Sequence, residues 1–206
     1  YHMSAIASAA ICHKRPDWAF SENMVNLERI LHQIKKSELG TKIVFASSSV
    51  AYGEFDGKSV DEATPLNPIN IYGLLKKNGE ELVQLYGRNY DIPYTIIRPS
   101  ALYGPRCVNR RVSQILIENV LEDKPVKLFG GGNEKLDFTY VDDTVQGFLR
   151  AGLMKESLNE IFNITYGEAR PVSLLVDILR ETFPNLEVEE HERDTFMPER
   201  GTLLID

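Results

Sequence analysis

Among the nine tyrosines of this sequence, only Tyr72 has a lysine four residues on, Lys76. Four residues is about one helical turn, so the two side chains share a face if the segment is helical. A tyrosine phenol titrates near a pH of about 10, too high for a base at neutral pH, and an ammonium close by favours its phenolate. A surface tyrosine beside an unrelated lysine would give the same letters, so the pair needs context. Upstream stands Ser47-Ser48-Ser49-Val50-Ala51-Tyr52-Gly53. A hydroxyl at the carboxyl end of a strand faces the crevice of an open sheet, where it can hydrogen-bond the substrate oxygen whose proton the tyrosine exchanges. The plainer alternative is a serine-rich strand end.

These residues need elements to hold them, and the surrounding sequence alternates helix and strand patterns. Asp17 to Lys35 carries apolar residues at helical spacing, with Gly40 as a stop. Ile43 to Ala46 is a continuous apolar run, the mark of a strand buried on both faces. A loop rich in Pro and Asn spans Gly53 to Asn70, a helix follows from Ile71 to Arg88, and Tyr94 to Ile97 is the next strand. This rhythm predicts an α/β fold with a doubly wound parallel sheet and the site at the strand ends. Beyond Gly104 the pattern predicts helices at Val112 to Leu121, ending at Leu153, and at Val172 to Thr182, with strands at Val126 to Phe129, Phe138 to Val141 and Ile161 to Thr165. Parts of this region read as a smaller substrate lobe. Gly130-Gly131-Gly132 sits between two of these strands and reads as a tight turn, and Asp142 and Asp143 open a helix, where they read as caps rather than metal ligands. No metal site is expected.

Composition narrows the function classes. A formal charge of −7 argues against a nucleic-acid surface. No apolar run approaches a membrane span, and two cysteines, Cys12 and Cys107, are too few for a disulfide framework or a CxxC metal site. Reduced thiols in a cytoplasmic protein are the expectation. The chain opens at Tyr1 in compact sequence and closes on Leu203, Leu204, Ile205, Asp206, so truncation at both ends is also expected.

The segments ASSSVAYG, PLNPINIYGLLKKNGEEL, RPSALYGPR and FTYVDD resemble, in order and spacing, those of extended short-chain dehydrogenases/reductases of the NAD-dependent epimerase/dehydratase family. The resemblance spans nearly the whole chain. It implies a Rossmann-like fold lacking its first strands: residues 1–104 as a partial dinucleotide-binding domain, 105–135 and 167–206 as the substrate lobe, and 136–166 as a returning helix and strand. It makes Tyr72 the acid/base, Lys76 the group that lowers its pKa and holds the nicotinamide ribose, and Ser48 the substrate-polarising hydroxyl, with Ser47 and Ser49 as adjacent alternatives. The cofactor side would further include Met3, Ser4, Ala5, Asn23, Ala46, Ser47, Pro99, Ser100 and Ala101. The substrate side would include Ser48, Ser49, Arg106, Arg111, Lys135 and Arg200.

Two departures from the family pattern shape the expected reaction. Where dehydratases place a glutamate, three before Gly53, this chain has Val50. That leaves hydride exchange at a sugar carbinol: an NAD-dependent nucleotide-sugar epimerase similar to UDP-glucose 4-epimerase, or a 4-reductase/dehydrogenase using the same residues in one direction. Where the family has a phosphate-binding arginine, this chain has Leu136, and Lys135, Arg106, Arg110, Arg111 and Arg200 are the candidates to replace it. The glycine-rich turn for the pyrophosphate, and the acid that separates NAD from NADP, would lie before Tyr1, so NADP stays open. The family's paired helices, here Asp17 to Lys35 and Ile71 to Arg88, imply a homodimer. A non-catalytic remnant, retaining a half-sheet and a dimer surface, is the reading from another class.

Overall fold

The computed structural model describes residues 1–107, 110–193 and 199–204. The end of the closing apolar run, Ile205 and Asp206, lies outside them. The central sheet is built from apolar runs. Strand β1 (Ile43–Ala46) pairs in parallel with β2 (Tyr94–Pro99), which pairs in parallel with β6 (Glu160–Ile164). His2 adds a parallel bridge to Phe45 on the other side of β1. Successive strand residues point to opposite faces. Ile43, Phe45 and Ile96 therefore pack on Leu27 and Leu31 of α3 (Asn26–Ser37) and Val83 of α4 (Ile71–Tyr90). Val44 and Ile97 meet Phe148 and Ala151 of α6 (Val141–Leu153) on the other face. Helices cover both faces, as the continuous apolar runs require, and each fully buried leucine contributes about 1.5–3 kcal/mol.

A second core lies beyond Gly104. There α5 (Val112–Leu121), β4 (Val126–Phe129), β5 (Lys135–Tyr140) and α7 (Val172–Thr182) bring together Leu116, Val126, Leu128, Leu136, Val176 and Leu179. Strand β5 pairs with β3 (Ala101–Tyr103) in parallel and with β7 (Ala169–Pro171) antiparallel, and β4 pairs in parallel with β8 (Val188–His191). Leu203 bridges back to Val60 and packs with Tyr52 and Phe55. Gly130–Gly132 forms the expected tight turn between β4 and β5, all three glycines at positive φ.

Several local details differ from the sequence expectation. The predicted helix from Asp17 is broken into α2 (Pro16–Phe20), a π turn at Ser21–Val25, and α3, preceded by the short α1 (Ala9–Lys14). The π turn accommodates Asn23, which is buried and clamps the backbone of Ile6. Glu38, in the left-handed conformation with φ 52°, ends α3 ahead of Gly40. Asp142 and Asp143 occupy the first turn of α6, but the cap position is Tyr140 and carries no side-chain bond; the carboxylates act on the helix dipole rather than as caps. Strands β3 and β7 are three residues long, too short for a period to register, and β8 is largely polar.

Candidate active site

The turn after β1 is set by Gly53. Its φ is 81°, and an added Cβ would lie 1.9 Å from the carbonyl oxygen of Asn67, with which it pairs. No other residue type fits so close to a neighbouring strand. The chain entering this turn from β1 leaves Ser48 at the cap of the short helix Ser49–Tyr52, its Oγ accepting from Val50 N at 3.3 Å.

Helix α4 starts beside that turn. Asn70 caps it by accepting from Gly73 N at 2.9 Å, which stabilises a helix end by about 1 kcal/mol. Gly73 lets the first turn of α4 press against the backbone of Val50, where a Cβ would come within 2.7 Å of the Val50 carbonyl oxygen. Tyr72, one residue earlier, is thereby buried beside Ser48 on the wall of the same cavity. Burial raises the phenol pKa above its ordinary value, and the neighbouring Cys12 thiol adds to the rise; Ser48, Arg111 and Arg200 pull it the other way. Lys76 lies one turn on, as its spacing predicts. Its Nζ donates to Ala46 O at 2.6 Å and sits 5.9 Å from the Tyr72 ring centroid. Burial lowers the Lys76 pKa to about 8, against the opposing pull of Glu80 and Cys12. Its ammonium makes its close contact with the end of β1.

Ser47, Ser48 and Tyr72 form one wall of a cavity of about 290 Å³, with Pro99, Ser100 and Ala101 beside them. Arg111, at the start of α5, and Arg200 line the same cavity, together with Glu134 and Leu136. The Arg200 guanidinium lies 3.7 Å from the Glu134 carboxylate, while its buried Nε has no partner among the described residues. Burial lowers the Arg200 pKa; Glu134 opposes that, and Arg111 adds to it.

Other residues singled out from the sequence lie elsewhere. Arg106 is exposed on an adjoining depression of about 230 Å³ that shares Arg111. Lys135 is exposed on β5 and does not line the cavity, whereas its neighbour Leu136 does. Ser49 is buried with an unpartnered Oγ and is not in the cavity wall. Met3 and Ser4 are exposed and Ala5 is half-buried, on the segment that Asn23 anchors through Ile6. Arg110 pairs with Glu118 at 2.8 Å. Sequence reasoning missed a buried network behind the site, Glu80 with Arg98, Tyr52 and Asn163. Its signals were an arginine inside the apolar strand Tyr94–Pro99 and a glutamate one turn beyond Lys76. Among the described residues no cluster of His, Cys, Asp and Glu could hold a metal ion.

Comparison with known proteins places this arrangement. The pattern of the NAD dependent epimerase/dehydratase family matches residues 1–165. A putative UDP-glucose 4-epimerase of Methanocaldococcus jannaschii is 38% identical over 87% of this chain and 59% of its own length. An uncharacterised UDP-glucose epimerase of Bacillus subtilis is 33% identical over 88% of this chain and 57% of its own. The chain thus spans less than two thirds of these relatives. Among solved structures, UDP-glucuronic acid 4-epimerase from Bacillus cereus, in complex with UDP-glucuronic acid and NAD, superposes with a TM-score of 0.92 at 29% identity, covering 100% of this chain and 66% of that one. UDP-glucose 4-epimerase from Thermotoga maritima, with UDP-glucose, gives a TM-score of 0.91 at 30% identity, covering 99% and 67%. With the family pattern running through β1, α4, β2 and β6, this chain belongs to the NAD dependent epimerase/dehydratase family.

Proposed function

We propose that the protein is an NAD-dependent nucleotide-sugar epimerase that inverts a sugar carbinol, in the manner of UDP-glucose 4-epimerase. The observation that carries this reading is Ser48 and Tyr72 side by side on the wall of one cavity, with the buried Lys76 ammonium one helical turn behind, 5.9 Å from the Tyr72 ring centroid. The small side chains Ala7, Ala9 and Ser47 on the cavity wall, and Lys76 beside Tyr72, fit a nicotinamide ribose. NAD, when bound, supplies the hydride acceptor and donor. Ser48 holds the substrate hydroxyl, and Tyr72 removes its proton and later returns one to the keto sugar. Pro99, Ser100 and Ala101 bound the nicotinamide side through backbone, and Met3, Ser4, Ala5, Asn23 and Ala46, which lie outside the cavity wall, would meet the cofactor beyond it. Arg111 and Arg200 face the nucleotide phosphates in place of the residue replaced by Leu136. Val50 is buried and aliphatic, so no third proton-transfer group stands where 4,6-dehydration would need one.

In this reading residues 1–104 and 136–166 carry the cofactor side, and 105–135 with 167–206 close over the sugar nucleotide. Two copies associate through the α2–α3 and α4 faces, where Trp18, Phe20, Ile30, Leu74 and Leu85 are exposed. No helix among the described residues is long and apolar enough to cross a membrane, and the two cysteines are unpaired; a cytoplasmic location belongs to the same proposal. The deciding experiment is Tyr72→Phe in the full-length protein. Interconversion of UDP-glucose and UDP-galactose should fall by about 1,000-fold or more with NAD still bound, and undiminished turnover would overturn the assignment.

A further inference from the structure

Behind Ser48 and Tyr72 lies a charged network with almost no access to water. Glu80 is 1% exposed and Arg98 3%. Arg98 donates to both Glu80 oxygens, with Nε–Oε1 at 3.0 Å and Nη2–Oε2 at 2.7 Å. Its remaining Nη1 reaches Tyr52 Oη at 2.8 Å and the carbonyl of Glu62 at 3.1 Å. Tyr52 in turn donates to Asn163 of β6 at 2.9 Å. Burial works against the Arg98 charge, yet its bonds and attraction to Glu80 outweigh that and raise its pKa. Such a pair is costly to place in a core, and an apolar pair would pack there without that cost.

What the pair holds explains its place. Glu80 Oε1 accepts from the Ser47 hydroxyl. Tyr72, Lys76 and Glu80 stand at steps of four along one face of α4; Lys76 meets the Ala46 carbonyl, Glu80 meets Ser47, and Tyr72 shares the cavity wall with Ser48. Ser47 N also donates to Ile97 O at 2.7 Å, one residue before Arg98. We propose that Glu80, braced by Arg98, is a positioning residue that fixes the Ser47–Ser48 segment beside Tyr72 through its bond to Ser47. The inference rests on the epimerase reading for its consequence but not for its geometry.

The test is Glu80→Gln in the full-length protein, with turnover counted per folded, NAD-loaded site. kcat for UDP-sugar interconversion should drop about 100-fold while KM stays within about threefold, because Ser47 loses its anchor and Ser48 its place beside Tyr72. Glu80→Asp keeps the charge and shortens the reach; its kcat should fall about tenfold. If Glu80→Gln does not fold, the double variant Glu80→Gln with Arg98→Met, which removes both charges of the pair, should show the same loss of kcat. Unchanged kcat per site in the Gln variants, or full turnover in Glu80→Asp, would overturn the positioning role. Absence of turnover in the unsubstituted protein would instead sink the epimerase reading.

Discussion

Two groups of residues at the cavity are held in different ways. Ser48 and Tyr72 come from the segment after β1 and from α4, with Ser48 tied to Val50 N and Lys76, behind Tyr72, tied to Ala46 O. Arg111 stands exposed at the start of α5, and Arg200 comes from a segment outside any helix or strand, with no partner for its Nε among the described residues and Glu134 as its ion-pair partner. The first group is fixed before anything binds, which suits proton transfer. The second keeps donors unspent, which suits an anionic group that arrives with the ligand.

Substitutions in each group should separate the two roles. The largest effect is expected from Lys76→Met, which should reduce turnover by about 1,000-fold while leaving the affinity for a UDP-sugar within a few-fold, checked by steady-state kinetics and calorimetry. Arg200→Met should do the reverse, raising KM by about 10–100-fold, the worth of a charged hydrogen bond, with kcat little changed. Equal losses in kcat from both variants would erase the distinction between the groups.

Stability against pH gives a third comparison. Lys76 titrates near 8 in the folded chain against an ordinary value of 10.5, so between those values the unfolded chain binds the extra proton and stability rises with pH. The burial cost, on the order of 3 kcal/mol, is fully present below pH 8 and relieved above it. Urea unfolding at pH 7.5 and 9.5 should show the rise in the wild type and not in Lys76→Met. The smallest effect is expected from Glu134→Gln, whose partly exposed pair with Arg200 is weak: KM for a UDP-sugar should fall by no more than about fivefold, and a rise would mean that Glu134 contributes to binding.

The same contrast governs what could be read in advance. Strand β1, helices α5 and α7, and the spacing of Tyr72 to Lys76 follow from apolar periodicity and helical pitch, both local properties of the chain. The strand end pointed to three adjacent serines, and only the family resemblance singled out Ser48 among them. The arginines were reachable in part: Arg111 and Arg200, named among the candidates, line the cavity, whereas Arg106 and Lys135 were picked for charge alone, and charge does not say which way an exposed loop or an edge residue points. The cavity instead meets Leu136, whose side chain joins the second core. Glu80 and Arg98 went unread because a buried ion pair is formed across β2 and α4, and its partners have no signature until both are placed. The π turn at Ser21–Val25 escaped for the related reason that Asn23 is drawn inward by Ile6, far back along the chain.

Helix α4 meets β1 at whole-turn intervals, and this limits how the protein can change length. One residue inserted between Tyr72 and Glu80 would rotate everything beyond it by about 100°, swinging Glu80 or Lys76 out of the sheet. Residues 104–107, which carry the exposed Arg106, lie outside any helix or strand and have no such phase to keep. Variants of altered length should therefore be recoverable there and scarce within α4, so that this part of the chain can change by insertion and deletion while the face of α4 against β1 changes only by replacing one side chain with another.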